Sequence, residues 1–350
     1  MTAEFARLAR GDAPAYLCTR VFHHGGRLVG ARLERAVRAA LTDALAARGL
    51  PITGPLTFLP YRDSNGAVLL GPQFTRGIYA VDTAQIGRAT LVVAPIEDLN
   101  LDSSIAFELG FAGARGVPVL SALQNVVRFR HPASGVVSPL PPLLTPLAGT
   151  VVDAGAFPAD GAPRDPDAYL AHVEDALTRT EAQVRAAVPA ALDAPVPAWG
   201  NVPVRAGHLH VEVGGPSEDA RAWAARTASA LADAGWFVTT ATREGARTRA
   251  DLDAAVREDL HAALGAQVLV TRADTADMDA EAAAVTGLRA GLGRATVLSI
   301  GWAREVWNGD AYVLPVNLMP LHGARASVRT DAALLQAVQA LMGDAATPGG

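Results

Sequence analysis

The chain alternates short, continuous apolar runs with longer segments whose apolar residues recur at helical spacing. Runs near residues 15–21, 56–60, 89–96 and 117–121 predict strands, and segments near 30–48, 73–87 and 103–115 predict the helices between them. Strand and helix in strict alternation make a doubly wound α/β layout. A Pro-rich loop, "SPLPPLLTPL", follows, and then a long helical run in which Leu170, Val173, Leu177 and Val184 are expected to pack. The Pro- and Gly-punctuated "PAALDAPVPAWGNVPVRAG" reads as a linker. Beyond it the order repeats, with strand-like "HLHVEV", "WFVTT" and "AQVLVT" separated by helical segments. The chain therefore divides into residues 1–187, a linker at 188–206, a second unit at 207–343 and a frayed tail at 344–350.

Sliding one half onto the other at an offset of 177 places Asp82 on Asp259, Val93 on Val270, Asp102 on Asp279, Gly110 on Gly287 and Gly116 on Gly293 without a gap. This predicts a fused duplication. Glu108 is the only charged residue between Asp102 and Arg115, and under the same offset it falls on Val285. The scaffold does not need that carboxylate. A capping box does not account for it either, because Ile105, three positions earlier, cannot cap. Glu108 lies early in a helix that follows a buried strand, at the sheet edge where ligands collect.

Half of the 350 residues are hydrophobic and the net charge is only -5, which points away from a nucleic-acid footprint and from disorder. A small-molecule partner is expected, with neither nucleic acid nor membrane. Cys18 is the one cysteine, no leader is visible in the opening residues, and no apolar run approaches the ~18 residues of a membrane span. A cytoplasmic location is the expectation.

Asp82, then Asp102 and Glu108 within "LDSSIAFELGFA", together with Tyr16 on the early strand "AYLCTRVF", resemble the nucleoside 2-deoxyribosyltransferases and their N-glycosidase relatives over about residues 14–122. The resemblance implies a flavodoxin-like, five-stranded parallel sheet, here as two units fused into a pseudo-dimer. It also implies displacement at the anomeric carbon of a nucleoside. Glu108 would attack C1', Asp102 would help hold the sugar hydroxyls, Asp82 would contact and protonate the departing base, and Tyr16 would orient Glu108. A carboxylate nucleophile suits an oxocarbenium-like centre, since it splits one difficult displacement into two. The helix N-terminus is expected to help keep Glu108 ionised. No cofactor and no metal is implied. The partners would be nucleosides and free nucleobases, with room for a homo-oligomer of the fused chain.

In that family a neighbouring subunit completes the site through an N-L-M segment. Here "LPVNLMPLHG" carries Asn317 and Met319, in the half that lacks the nucleophile, while "LLTPL" stands against "NLMPL" so that Leu143 replaces Asn317. One composite site would keep its residues and the other would have lost both. "FHHGGR", with Phe22, is a loop that could touch base or sugar, and the stretch "YRDSNGAVLLGPQF" would help set base preference. His208 and His210 share a strand face without a third ligand and read as ordinary strand residues. Three functions remain: base exchange on 2'-deoxynucleosides, hydrolysis of nucleosides or their 5'-monophosphates, and nucleoside binding without catalysis.

Overall fold

The computed structural model describes residues 2–19, 24–63, 72–97, 101–124, 129–131, 134–153, 165–213, 217–241, 246–273, 278–300, 306–308, 311–313 and 318–343. Its first unit runs α1 (Thr2–Arg10), β1 (Ala15–Leu17), α2 (His24–Ala46), β2 (Thr57–Phe58), α3 (Pro60–Asp63), α4 (Pro72–Arg88), β3 (Val92–Ile96), α5 (Ser103–Ala114) and β4 (Val119–Leu123). A short hairpin, β5 (Phe129–Arg130) and β6 (Val137–Ser138), leads to a 3-10 turn at Pro142–Leu147, then β7 (Thr150–Asp153) and α6 (Pro166–Leu192). The second unit runs β8 (Arg205–Val211), α7 (Glu218–Asp233), β9 (Phe237–Thr240), α8 (Arg249–Gly265), β10 (Ala266–Arg272), α9 (Ala280–Gly291) and β11 (Ala295–Ser299). It closes with the hairpin β12 (Val306–Asn308) and β13 (Ala311–Val313), then α10 (Leu318–Gly323), β14 (Ala326–Val328) and α11 (Asp331–Gly343).

The first sheet has the order β2-β1-β3-β4-β7 and the second β9-β8-β10-β11-β14, all parallel. Both are flavodoxin-like, with the order reversing beside the first strand of each unit. Strand alternation sorts the faces. Ala15 and Leu17 pack with α2 and α6, whereas Tyr16 and Cys18 pack with α4 and α5. The site face continues without a break into the second unit, because one apolar cluster joins α5 to α8 and α9.

The seam between the units is α5 against α9. A Cβ on Gly110 would lie 1.9 Å from Ala284 O, and one on Gly287 would lie 2.0 Å from Phe107 O. At the 177 offset Gly110 matches Gly287 and Phe107 matches Ala284, so the two contacts are reciprocal. Bare glycines let the helix backbones touch, which explains why α5 is apolar almost all round: one side meets its own sheet and the other meets α9. The turn at Pro142–Leu147 rests on α8 and α9, and α10 rests on α4 and α5, again reciprocally. Setting Leu143 against Asn317 takes an offset of 174, so this connection is three residues longer in the first unit than the cores' 177 would allow.

Several expectations shift in detail. The fifth strand of the first unit, β7, and the leading α1 were hidden in segments without a clean period. Helix α6 extends to Leu192, into the stretch that reads as linker, and Trp199 beyond it is buried against the position of Gly113. Leu170 and Val173 are exposed and do not pack; α6 buries Thr180, Val184, Val188 and Ala191 instead, because only its C-terminal half lies over the sheet. Among the described residues no helix is long and apolar enough to cross a membrane.

Candidate active site

Strand β3 ends in Pro95-Ile96, inside the sheet, where proline would normally forfeit a ladder hydrogen bond. The preceding rung on that side, Val93 O, accepts from Cys18 N at 2.9 Å, and among the described residues β1 pairs no further. Pro95 therefore faces the place where β1 has already left the sheet. This is the crevice between β1 and β3, the reversal point of the strand order.

Helix α5 opens over that crevice. Asp102 is its N-cap, with Oδ1 accepting from Ser104 N at 2.8 Å. Asp279 caps α9 in the same way, accepting from Glu281 N at 3.0 Å and Ala282 N at 3.1 Å. The paired aspartates thus have a structural duty in both units, whatever else Asp102 does.

One turn on, Glu108 points back at β1. Tyr16 Oη donates to Glu108 Oε1 at 2.8 Å, and both side chains are buried. The Tyr16 ring is stacked on Phe58 at 5.7 Å between centroids, which fixes the direction of its hydroxyl. Glu108 Oε2 has no hydrogen-bond partner among the described residues. Burial, followed by the charge of Asp82, pushes the Glu108 carboxyl up to about 8; the Cys18 thiol and the Tyr16 hydroxyl pull it down, and Asp102 adds to the rise. The helix N-terminus therefore does not keep Glu108 ionised as expected: Glu108 lies beyond the first turn, where the dipole fades, and desolvation wins. Tyr16 is likewise raised well above its ordinary value, by burial and then by Asp82 and Glu108. Asp82, on α4, is itself buried.

The structure thus brings Tyr16, Asp82 and Glu108 together beneath the cap at Asp102. Cys18, buried one rung beyond Tyr16 on the same face, joins them. Sequence reading passed over Cys18, although its i, i+2 spacing from Tyr16 was a signal of a shared face.

From the second unit, α10 reaches the same place. Met319 is buried in the cluster that holds Tyr16 and Phe107, and a Cβ on Gly323 would lie 2.2 Å from Phe107 Cε2. His322 Nε2 and Thr75 Oγ1 of α4 are 2.9 Å apart, and Tyr79 packs between Phe107 and His322 at 6.0 Å from each ring. Phe22, Asn317 and residues 64–71 of the proposed base loop lie outside the described residues.

The matching crevice of the second unit is filled differently. Glu212 N donates to Val270 O at 2.9 Å as Cys18 N does to Val93 O, so Glu212 stands at the Cys18 place and His210 at the Tyr16 place. His210 Nε2 lies 3.6 Å from Glu212 Oε2, both fully buried, and the helix position across from them is Val285. Leu143 and Leu144 cover this crevice, with Leu143 N donating to Glu281 Oε1 at 2.8 Å. His208 and His210 share Thr239 Oγ1, at 2.8 and 3.0 Å. Among the described residues no group of three or more His, Cys, Asp or Glu is arranged to hold a metal.

With this geometry in view, residues 16–160 match the family described as nucleoside 2-deoxyribosyltransferase. That stretch belongs to the nucleoside 2-deoxyribosyltransferase family. The family is one of glycosyl-transferring or N-glycosidase enzymes. The deoxyribosyltransferase match begins at Tyr16, encloses Asp82, Asp102 and Glu108, and stops short of the second unit. No curated protein matches the chain.

Proposed function

We propose that the chain is a nucleoside 2-deoxyribosyltransferase with one active site, built by the first unit and completed by α10 of the second. The carrying observation is Glu108, buried at the strand-order reversal, with Oε1 held by Tyr16 and Oε2 without a partner among the described residues. Oε2 is the oxygen left to attack.

Burial and the charge of Asp82 hold back the ionisation of Glu108, so turnover needs the proton to pass to Asp82. The reacting form has the proton on Asp82 and the charge on Glu108. Glu108 Oε2 bonds to C1' as the bond from C1' to the base nitrogen breaks; its electron pair leaves with the base, which takes the proton from Asp82. A second base then attacks C1', releases its proton to Asp82 and frees Glu108. Burial keeps water from competing in the interval.

The matching strand order of the two sheets, the 177 offset and the reciprocal glycine contacts support a fused duplication. On this reading residues 1–187 are the catalytic unit and 207–343 a second copy that gave up its own chemistry. Incubation of 2'-deoxyinosine with adenine tests the assignment: 2'-deoxyadenosine should form with little free deoxyribose. Free sugar at the same rate with or without adenine would make the protein an N-glycosidase, and no turnover by folded protein would leave a nucleoside-binding protein.

A further inference from the structure

The stretch that carries α10 has a counterpart in the first unit. At the offset of 174, "NLMPLHG" lies on "LLTPLAG", so that Leu318, Pro320, Leu321 and Gly323 recur as Leu144, Pro146, Leu147 and Gly149, while His322 meets Ala148. At 177, Thr75 and Tyr79 of α4 fall on Leu252 and Val256 of α8. The two ends of the seam are closed by different chemistry. Ala148, Leu252 and Val256 are buried in one apolar cluster. His322 Nε2 and Thr75 Oγ1 instead stand 2.9 Å apart, at hydrogen-bonding distance, and the Tyr79 and His322 rings lie 6.0 Å apart. Apolar packing is enough where Val285 takes the place of Glu108. The hydrogen bond stands at the end that has Glu108.

The side of α4 that takes this bond also carries an acid of the site. Thr75, Tyr79 and Asp82 are spaced i, i+4 and i+7, which lines them along one face of the helix. On α10, Met319 precedes His322 by three residues and is buried in the cluster that holds Tyr16 and Phe107. Apolar contact holds α10 down without choosing its register, because burial has no preferred direction. A hydrogen bond sets both a distance and an angle. Resting on the transferase reading above, we propose that His322 is a positioning residue: by bonding Thr75 it fixes α10 on α4 and so sets where Met319 stands relative to the Asp82 and Glu108 pair. The join between the units does not require this bond, since the matching place is filled by Ala148 against Leu252 and Val256.

Thr75→Val and His322→Phe each remove the bond while keeping most of the bulk, and the double variant completes a cycle. Amide hydrogen exchange reads the latch without any substrate: the amides of residues 321–324 should exchange about threefold or more faster in each single variant and no faster again in the double, while those of α9 keep their rates. Kinetics reads its use. Each single variant should raise KM for 2'-deoxyinosine about threefold or more with kcat less affected, and on a Met319→Ala background His322→Phe should add little. Thr75→Ser keeps the hydroxyl and should follow the unaltered chain. Unchanged exchange in both single variants, effects that multiply in the double, or a Ser variant that shifts with Val would overturn the proposal. Faster exchange with KM unmoved would overturn it too, because the bond would then serve the fold alone. If the unaltered chain exchanges no bases, the transferase reading falls, and the hydrogen-exchange cycle still decides whether His322 and Thr75 hold α10.

Discussion

Gly110 and Gly287 each lay a bare Cα against the other unit's helix backbone, Gly110 on Ala284 and Gly287 on Phe107. The second of these contacts touches the residue that precedes Glu108, the proposed nucleophile. Gly287→Ala should cost about 1–3 kcal/mol by overpacking, and it should also lower kcat, because Phe107 must move and Glu108 moves with it. Gly77→Ala, on α4 with nothing within 4 Å, is the control and should be neutral or slightly stabilising. Thermal unfolding and turnover of the two variants separate a seam effect from a general one.

Glu108→Gln should abolish exchange by several orders of magnitude while leaving the fold intact. Val285 already occupies the matching place in a helix of the same length. Steady-state assays and circular dichroism on the same sample are sufficient; a folded variant with most of its activity would exclude Glu108 as nucleophile.

The same residue makes stability depend on pH. Its carboxyl is raised in the folded chain to about 8 from an ordinary value of 4.5. Between those values the unfolded chain has released its proton and the folded chain still holds it, so rising pH favours unfolding, by at most about 1.4 kcal/mol per pH unit for this group. Glu108→Gln lacks the effect. Its melting temperature relative to the unaltered chain should climb steadily from pH 5 to pH 8, and a constant difference across that window would contradict the burial of the charge.

Met319 tests the contribution of the second unit. Met319→Ala empties volume beside Phe107 and should raise KM for the nucleoside severalfold, whereas Met319→Leu, close in volume, should stay within about twofold. Equal kinetics for both variants would separate α10 from the substrate.

A 2'-fluorinated nucleoside should slow both chemical steps and let the sugar accumulate on the enzyme. Intact mass measurement should find at most one adduct per chain, mapped to Glu108. Labelling of Asp279 or Glu212 would mean that the second unit has kept chemistry of its own.

Much of the candidate site is legible in the sequence. Glu108 stands out as a lone charge in an apolar helix, and the 177 offset sets Val285 against it and aspartate against aspartate at the two caps. Cys18 does not, because a cysteine in a buried strand is indistinguishable from a small apolar residue until something polar is seen across from it. The ionisation of the Glu108 carboxyl is hidden for a related reason: its burial and its nearness to Asp82 come from the packing of α5 on β1 and α4, which no local pattern reports. Leu170 and Val173 carried the right period on a stretch of α6 that the sheet does not reach.

Helix α5 has no solvent side, since its own sheet takes one face and α9 the other. Its amide protons therefore have no local route to water and should exchange only when both units open together. The slowest-exchanging amides of the protein would then lie on the helix that carries Glu108, so the proposed nucleophile would sit on the part of the chain that opens last.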